Sequence, residues 1–231
     1  MTLSAPLSVL TPADCAALAW LVFAWAAVGW IVEHPPRSRL SVSVLMDGYR
    51  RRWMREMVTR QPRIFDAAVM DNLRQGVSFY ASASMIALGG GAAVIGNAER
   101  LAATAEELSL PPAAALVWQV KLAVVLLFVA NGFLKFVWSH RLFGYSAIVM
   151  AAVPNEQGDP GCYPMAERAA GINITAARNF NRGLRSVYFA LGAAAWLLGP
   201  LALAAAATLT LIVLLRREFA SASRQLLVGG G

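Results

Sequence analysis

The residues that most suggest chemistry are two lysines: Lys121 and Lys135 are the only lysines among 231 residues, and both fall in one apolar stretch. Their spacing of fourteen positions puts them within about 40° of each other on an α-helix. Gln119 lies near Lys121 and Asn131 one turn before Lys135, so one helix carries a polar stripe. A cation at membrane depth faces a bundle interior, a carboxylate or a watery path, unless its flexible stem lets the charge snorkel to an interface. Two readings are open. Gln119, Lys121, Asn131 and Lys135 line a pore or polar seam, or the lysines reach for opposite membrane surfaces.

A second set is made of arginines. Arg178, Arg182 and Arg185 recur at i, i+4 and i+7, and Arg50, Arg51, Arg52 and Arg55 crowd another helical stretch. Guanidiniums grouped in this way take anionic lipid headgroups; alternatively they pair with Asp66, Asp71 and Glu167 and tie helices to one another. No catalytic constellation accompanies them. His34 and His140, with Cys15 and Cys162, are too few and too scattered for a metal site, a redox pair or a disulfide scaffold. Hydroxyls in the other spans, such as Ser82, Ser84 and Thr208, are scattered along the sequence. The expectation is therefore no enzyme, with no catalytic residue, metal or cofactor.

The elements that position these groups follow from composition. Charged residues make up 14% of the chain and hydrophobic ones 58%, with a mean hydropathy of +0.55, against about 25% and 45–50% in soluble domains. The surplus apolar surface must face lipid. Stretches at 15–33, 76–96, 112–138 and 186–215 are each long enough to cross a hydrocarbon core of about 30 Å as a helix. The expected fold class is all-α: a polytopic, single membrane domain with four transmembrane helices and amphipathic cytoplasmic helices at about 43–75 and 139–185. In the first of these segments, Met46, Tyr49 or Trp53, and Met57 recur at helical spacing opposite the arginines, as in a helix lying at the headgroup boundary. Ala83, Ala87 and Gly91 place small residues at four-residue spacing, a surface on which helices approach closely in lipid.

Orientation follows from the basic residues, which resist translocation. The loop after the first span carries nine arginines, and the loop after the third carries Arg141, Arg168, Arg178, Arg182 and Arg185. The intervening loop has Arg100 among Glu99, Glu106 and Glu107. Loops one and three are expected in the cytoplasm and the N-terminus outside, in a cell inner membrane. One feature disagrees, because Arg216, Arg217 and Arg224 follow a fourth span that would deliver them outside. A reversal at Gly199-Pro200 would return that tail to the cytoplasm, whereas a kinked but continuous span would not. The sequon Asn173-Ile174-Thr175 falls on the expected cytoplasmic side, where it is not used.

The runs GYRRRWMREMVTRQPRIFDAAVMDNLRQGVSFYASASMIALGG, VKLAVVLLFVANGFLKFVWSHRLFGYSAIVMAAVP and AARNFNRGLRSVYFALGAAAWLLGP together resemble a bacterial and plant membrane protein family known as domain of unknown function 599. The resemblance covers nearly all of the chain from the first span to the RREF at 216–219. It implies a four-span bacterial inner-membrane protein and brings no activity with it.

Two roles are compatible with these residues. One is a homo-oligomeric channel or transport-type protein for ions or small solutes, with any pore between subunits. The other is a membrane scaffold or regulator that binds anionic lipid or a protein partner through its basic cytoplasmic helices. The lipid bilayer is the expected partner in both, and nucleic acid in neither, since the basic residues follow the membrane face despite a pI near 10.1.

Overall fold

The computed structural model describes residues 10–100, 103, 114–156 and 158–229. Every regular element among them is helical: α1 (Pro12–Glu33), α2 (Val42–Thr59), α3 (Ile64–Gly96), α4 (Ala115–Ala151), α5 (Cys162–Ala194), a 3-10 turn at Ala195–Leu198, α6 (Pro200–Phe219) and α7 (Ala222–Val228). Four helical stretches are long and apolar enough to cross a membrane, namely Pro12–Glu33, Ile64–Gly96, Ala115–Ala151 and Pro200–Val228. The chain is an all-α polytopic membrane protein. The expected start of the third span at Pro112, and Glu106 and Glu107 before it, lie outside the described residues.

Contacts group the chain into two compact units. The first unit comprises 1–31, 83–132 and 184–216, and the second comprises 32–82, 133–183 and 217–231.

In the first unit α1 starts on a capping box. Thr11 precedes Pro12, its hydroxyl accepts from the Asp14 amide at 3.2 Å, and the Asp14 carboxylate accepts from the Thr11 amide at 3.1 Å. One face of α1, carrying Leu21, Ala24 and Val28, is fully buried. Aromatic rings fill the interior, with Trp25 edge-on to Phe128 at 5.6 Å and Phe128 stacked with Phe189 at 6.4 Å. Almost none of the apolar stretch of α3 is buried.

The expected fourth span, 186–215, needs correcting. It is not one crossing but the end of α5, a turn, and α6. Gly199 adopts φ 122°, a conformation that disfavours residues with a Cβ, and Pro200 then opens α6 at a position that needs no N–H. Gly192 faces Ala206 and Thr210, with the Thr210 hydroxyl 3.2 Å from where a Cβ would sit. Contacts placed before and after Gly199 in this way make the two segments an antiparallel hairpin. Apolar composition alone reads the stretch as continuous because hydropathy carries no direction. The fourth apolar crossing is therefore Pro200–Val228.

In the second unit Phe136 sits at the centre, within 5.5 Å of Tyr80 and 5.6 Å of Phe180. Gly183 makes room for it, since a Cβ there would lie 2.6 Å from the ring. Helix α5 presents small buried residues, Ala166, Ala169, Ala170, Ala176 and Ala177, which lets α4 approach closely. Across that seam the Ser139 hydroxyl donates to the Ala176 carbonyl at 2.8 Å and the Ser146 hydroxyl to the Ala169 carbonyl at 3.0 Å. Ser41 caps α2 and also donates to the Val32 carbonyl at 2.8 Å. The apolar face of α2 is used inside the unit: Met54, Met57 and Val58 are fully buried, while Met46 and Tyr49 are exposed. The C-terminal tail belongs here as well. Glu218 accepts from the Ser43 amide and hydroxyl at 3.0 and 2.9 Å, Arg39 donates to the Phe219 carbonyl, and Arg224 donates to the Leu40 carbonyl. The basic tail therefore packs against the basic first loop.

This placement is open to thiol labelling. In a background lacking the free Cys15 and Cys162, Ser38→Cys and Ser223→Cys are expected to react with an impermeant thiol reagent from the same side of sealed vesicles. Labelling from opposite sides would restore the continuous crossing. Gly199→Val is expected to lower stability by about 1–3 kcal/mol in a thermal or denaturant assay, the cost of a Cβ in a positive-φ extended conformation that is essentially reserved to glycine.

Candidate functional site

Two constellations hold the candidate residues, one in each unit. In the first unit, the capping box that starts α1 aims Asp14 inward, and Asp14 is only 7% exposed. Its second carboxylate oxygen accepts from the Trp196 indole N–H at 2.7 Å. Lys121, on α4, is 8% exposed. Its Nζ lies 5.5 Å from the centre of the Trp118 ring and 5.9 Å from that of Trp196, within the range of cation–π attraction. The Asp14 charge acts on Lys121 as well. The ammonium is therefore held between two indoles, with the Asp14 carboxylate acting on it. Asn131, expected in the same stripe, donates to the Ser186 hydroxyl at 2.6 Å and joins α4 to α5. Gln119 and Lys135 are half-buried, and Lys135 belongs to the second unit. The four groups of the stripe thus do not converge on one site.

Of the small-residue row on α3, Gly91 packs against Leu126, while Ala83 and Ala87 are exposed.

In the second unit most of the candidate arginines have acidic partners. Arg51 and Arg55 on α2 both bond Glu167 on α5, at 3.0 and 2.5 Å. The hydrogen bond from Arg55, with that from Arg51, holds the Glu167 carboxyl below the usual carboxylate range. Arg178 donates twice to Asp47, at 2.7 and 3.2 Å, and Arg182 forks onto Glu33. That fork raises the Arg182 guanidinium above the ordinary arginine value. Arg50 bonds Asn173 and lies 6.0 Å from the Phe143 ring centre, and burial pushes its guanidinium below the ordinary value. Asp66 is fully buried, with one oxygen accepting from Trp53 at 2.7 Å and from Arg60. Asp71 accepts from Gln75 at 2.8 Å. Arg52 is 76% exposed, at the 4.0 Å limit from Glu56, and Arg185 is buried in the first unit. Of the three arginines at 178, 182 and 185, the first two thus have acidic partners and the third is buried. Asn173 is buried, which closes the sequon to modification.

A cavity of about 310 Å³ opens beside this network. Met57, Met70 and Met150 line it, together with Arg63, Asp71 and Arg74. Composition and spacing missed this set, because its members come from α2, the turn before α3, α3 and α4 and are not adjacent in sequence. Asp14, Trp118 and Trp196 were missed too, although the Thr-Pro-Ala-Asp capping pattern was a readable pointer to Asp14. Glu33 and Asp47, the partners of Arg182 and Arg178, gave no local signal. Among the described residues no group of three or more His, Cys, Asp or Glu side chains is placed to hold a metal ion.

Compared with known proteins, residues 16–223 match a protein family described as "Protein of unknown function, DUF599". No curated protein and no solved structure matches the chain.

The cage makes a sign prediction. Asp14→Asn leaves the Lys121 cation without its carboxylate and is expected to destabilise the protein by roughly 1–3 kcal/mol. Adding Lys121→Met to Asp14→Asn should recover part of that loss, as read in a thermal-unfolding double-mutant cycle. For Glu167, a carboxyl depressed in the folded state contributes stability above its unfolded pKa that is lost as pH falls through the folded value. Unfolding midpoints are therefore expected to drop more steeply on acidification below about pH 5 in wild type than in Glu167→Gln.

Proposed function

This chain belongs to the DUF599 family, and because membership brings no activity with it, we propose from its charge and geometry that it is a membrane-resident scaffold or regulator that holds anionic lipid against a braced basic layer. It acts by binding and not by catalysis. The observation that supports this most is the charge partition. The second unit contains 16 Lys and Arg against 9 Asp and Glu, a net +7 that equals the formal charge of the whole chain. Pairing with Glu167, Asp47 and Asp66 braces α2 against α5 and the start of α3, and Glu33 ties α1 to α5, which leaves a surplus of positive charge such as exposed Arg37 and Arg168. A fixed basic layer next to lipid attracts anionic headgroups, by about 1 kcal/mol per Lys or Arg near the surface. The positive-inside bias supports a cytoplasmic position for that layer, in a cell inner membrane, with the N-terminus outside.

The channel reading draws less from the geometry, since Lys121 and Asn131 are engaged within the subunit. Homo-oligomer formation keeps support from one observation: Ala83, Ala87 and Gly90 on α3 are exposed, an unpartnered small-residue face of the kind that joins helices in lipid.

Delipidated protein in neutral detergent is expected to gain thermal stability from phosphatidylglycerol and not from phosphatidylcholine of the same chain length, with the gain shrinking as salt rises. Equal stabilisation by both lipids would defeat the proposal. In liposomes, Lys121→Ala and Lys135→Ala are expected to leave ion flux unchanged; a selectivity change in either variant would bring back a pore lined by α4.

A further inference from the structure

We infer that the cavity between α2, α3 and α4 is a binding site for one anionic phospholipid, its phosphodiester held by Arg63 and Arg74 and its chain lying along Met57, Met70 and Met150. This rests on the proposed lipid-binding function and gives it a single site. Arg63, Asp71 and Arg74 are the charged groups of the cavity, and all its lining residues lie in the second unit. Arg63 donates to the carbonyls of Val153 at 2.7 Å and Pro154 at 2.8 Å, so its positive charge is positioned by neutral groups and not cancelled by an acid. Its Nε–H is buried and has no acceptor. The Nε–H of Arg74 is likewise buried without an acceptor. Asp71 is tied to Gln75 and supplies one negative charge against two positive ones. A buried donor without a partner is costly, and two guanidiniums fit the oxygens of a phosphate.

The remaining lining chooses the kind of anion. Three methionines give a polarizable wall that adapts to an irregular chain. Ile64, Phe65 and Ile148, on the same helices, are 71%, 63% and 68% exposed, which suits lipid contact around the opening. The volume, 310 Å³, is at the lower end of the roughly 300–1,000 Å³ seen for small-molecule sites. It takes a headgroup and the first part of one chain, with the rest of the lipid left in the bilayer.

The test is a titration of the full-length, delipidated protein followed by native mass spectrometry, using phosphatidylglycerol, phosphatidylcholine and inorganic phosphate. Wild type is expected to take up one phosphatidylglycerol per chain in preference to phosphatidylcholine, with no displacement by millimolar phosphate. Arg74→Gln, which removes no hydrogen bond, is expected to weaken that first binding event at least tenfold, and Ala147→Phe, which fills the cavity, should do the same without changing charge. Arg63→Gln also loses the Val153 and Pro154 contacts, so its effect is read only if its thermal midpoint matches wild type. If wild type prefers phosphatidylglycerol but Arg74→Gln and Ala147→Phe bind it as tightly as wild type, the site is wrong and the wider lipid reading survives. If wild type shows no preference, both fail. Displacement of the lipid by inorganic phosphate would overturn the amphiphile and leave a free-anion site.

Discussion

A carboxylate drawn out of water must find donors, and the second unit is organised around that requirement. Glu167 joins α2 to α5 by taking both Arg51 and Arg55, Asp47 takes Arg178, Glu33 takes Arg182, and Asp66 ties the end of α2 to the start of α3 through Trp53 and Arg60. Each exposed bridge contributes little in isolation, since surface pairs are worth about 0–1 kcal/mol. Their effect is geometric: they specify which helices lie together and in what register. Between them the small face of α5 and the Ser139 and Ser146 hydroxyls let α4 come close enough for backbone carbonyls to accept.

The reversal at Gly199-Pro200 belongs to the same economy of charge. Without it, α6 would carry Arg216, Arg217 and Arg224 away from the basic loops. With it, Glu218 meets Ser43 and Arg224 meets the Leu40 carbonyl. The first unit has the opposite character. Its few buried charges are confined to specific arrangements, above all the Lys121 cation between Trp118 and Trp196 beside Asp14. That arrangement gives a buried cation two ring faces and a carboxylate within the unit.

The sequence made the fold class legible because spans of apolar residues have no soluble alternative, and the stretches expected at 15–33, 76–96 and 112–138 fall on apolar helices, the start of the third lying outside the described residues. For the fourth, a continuous span and a reversal at Gly199-Pro200 both stayed open, because an alanine-rich run on either side of a glycine-proline pair reads the same whether the chain goes on or turns back. The arginine partners were legible only in part. Glu167 and Asp66 were identified as acids able to pair, but Glu33 and Asp47 are separated from Arg182 and Arg178 by well over a hundred residues, and no periodicity relates them. The cavity left no trace in any one helix, since Met57, Arg63, Arg74 and Met150 become neighbours only after three helices pack. The Lys121 stripe stands out in the sequence because it holds the only two lysines. Its role was not legible, because a tryptophan reached from the far end of α5 decides whether such a lysine is caged or wet.

The central claim is that the basic unit selects anionic lipid, and the most direct measurement is the lipid composition that remains with the protein when it is extracted gently from its own membrane. The account expects anionic phospholipids enriched several-fold over their share of that membrane. A retained lipid composition equal to that of the surrounding bilayer would contradict it.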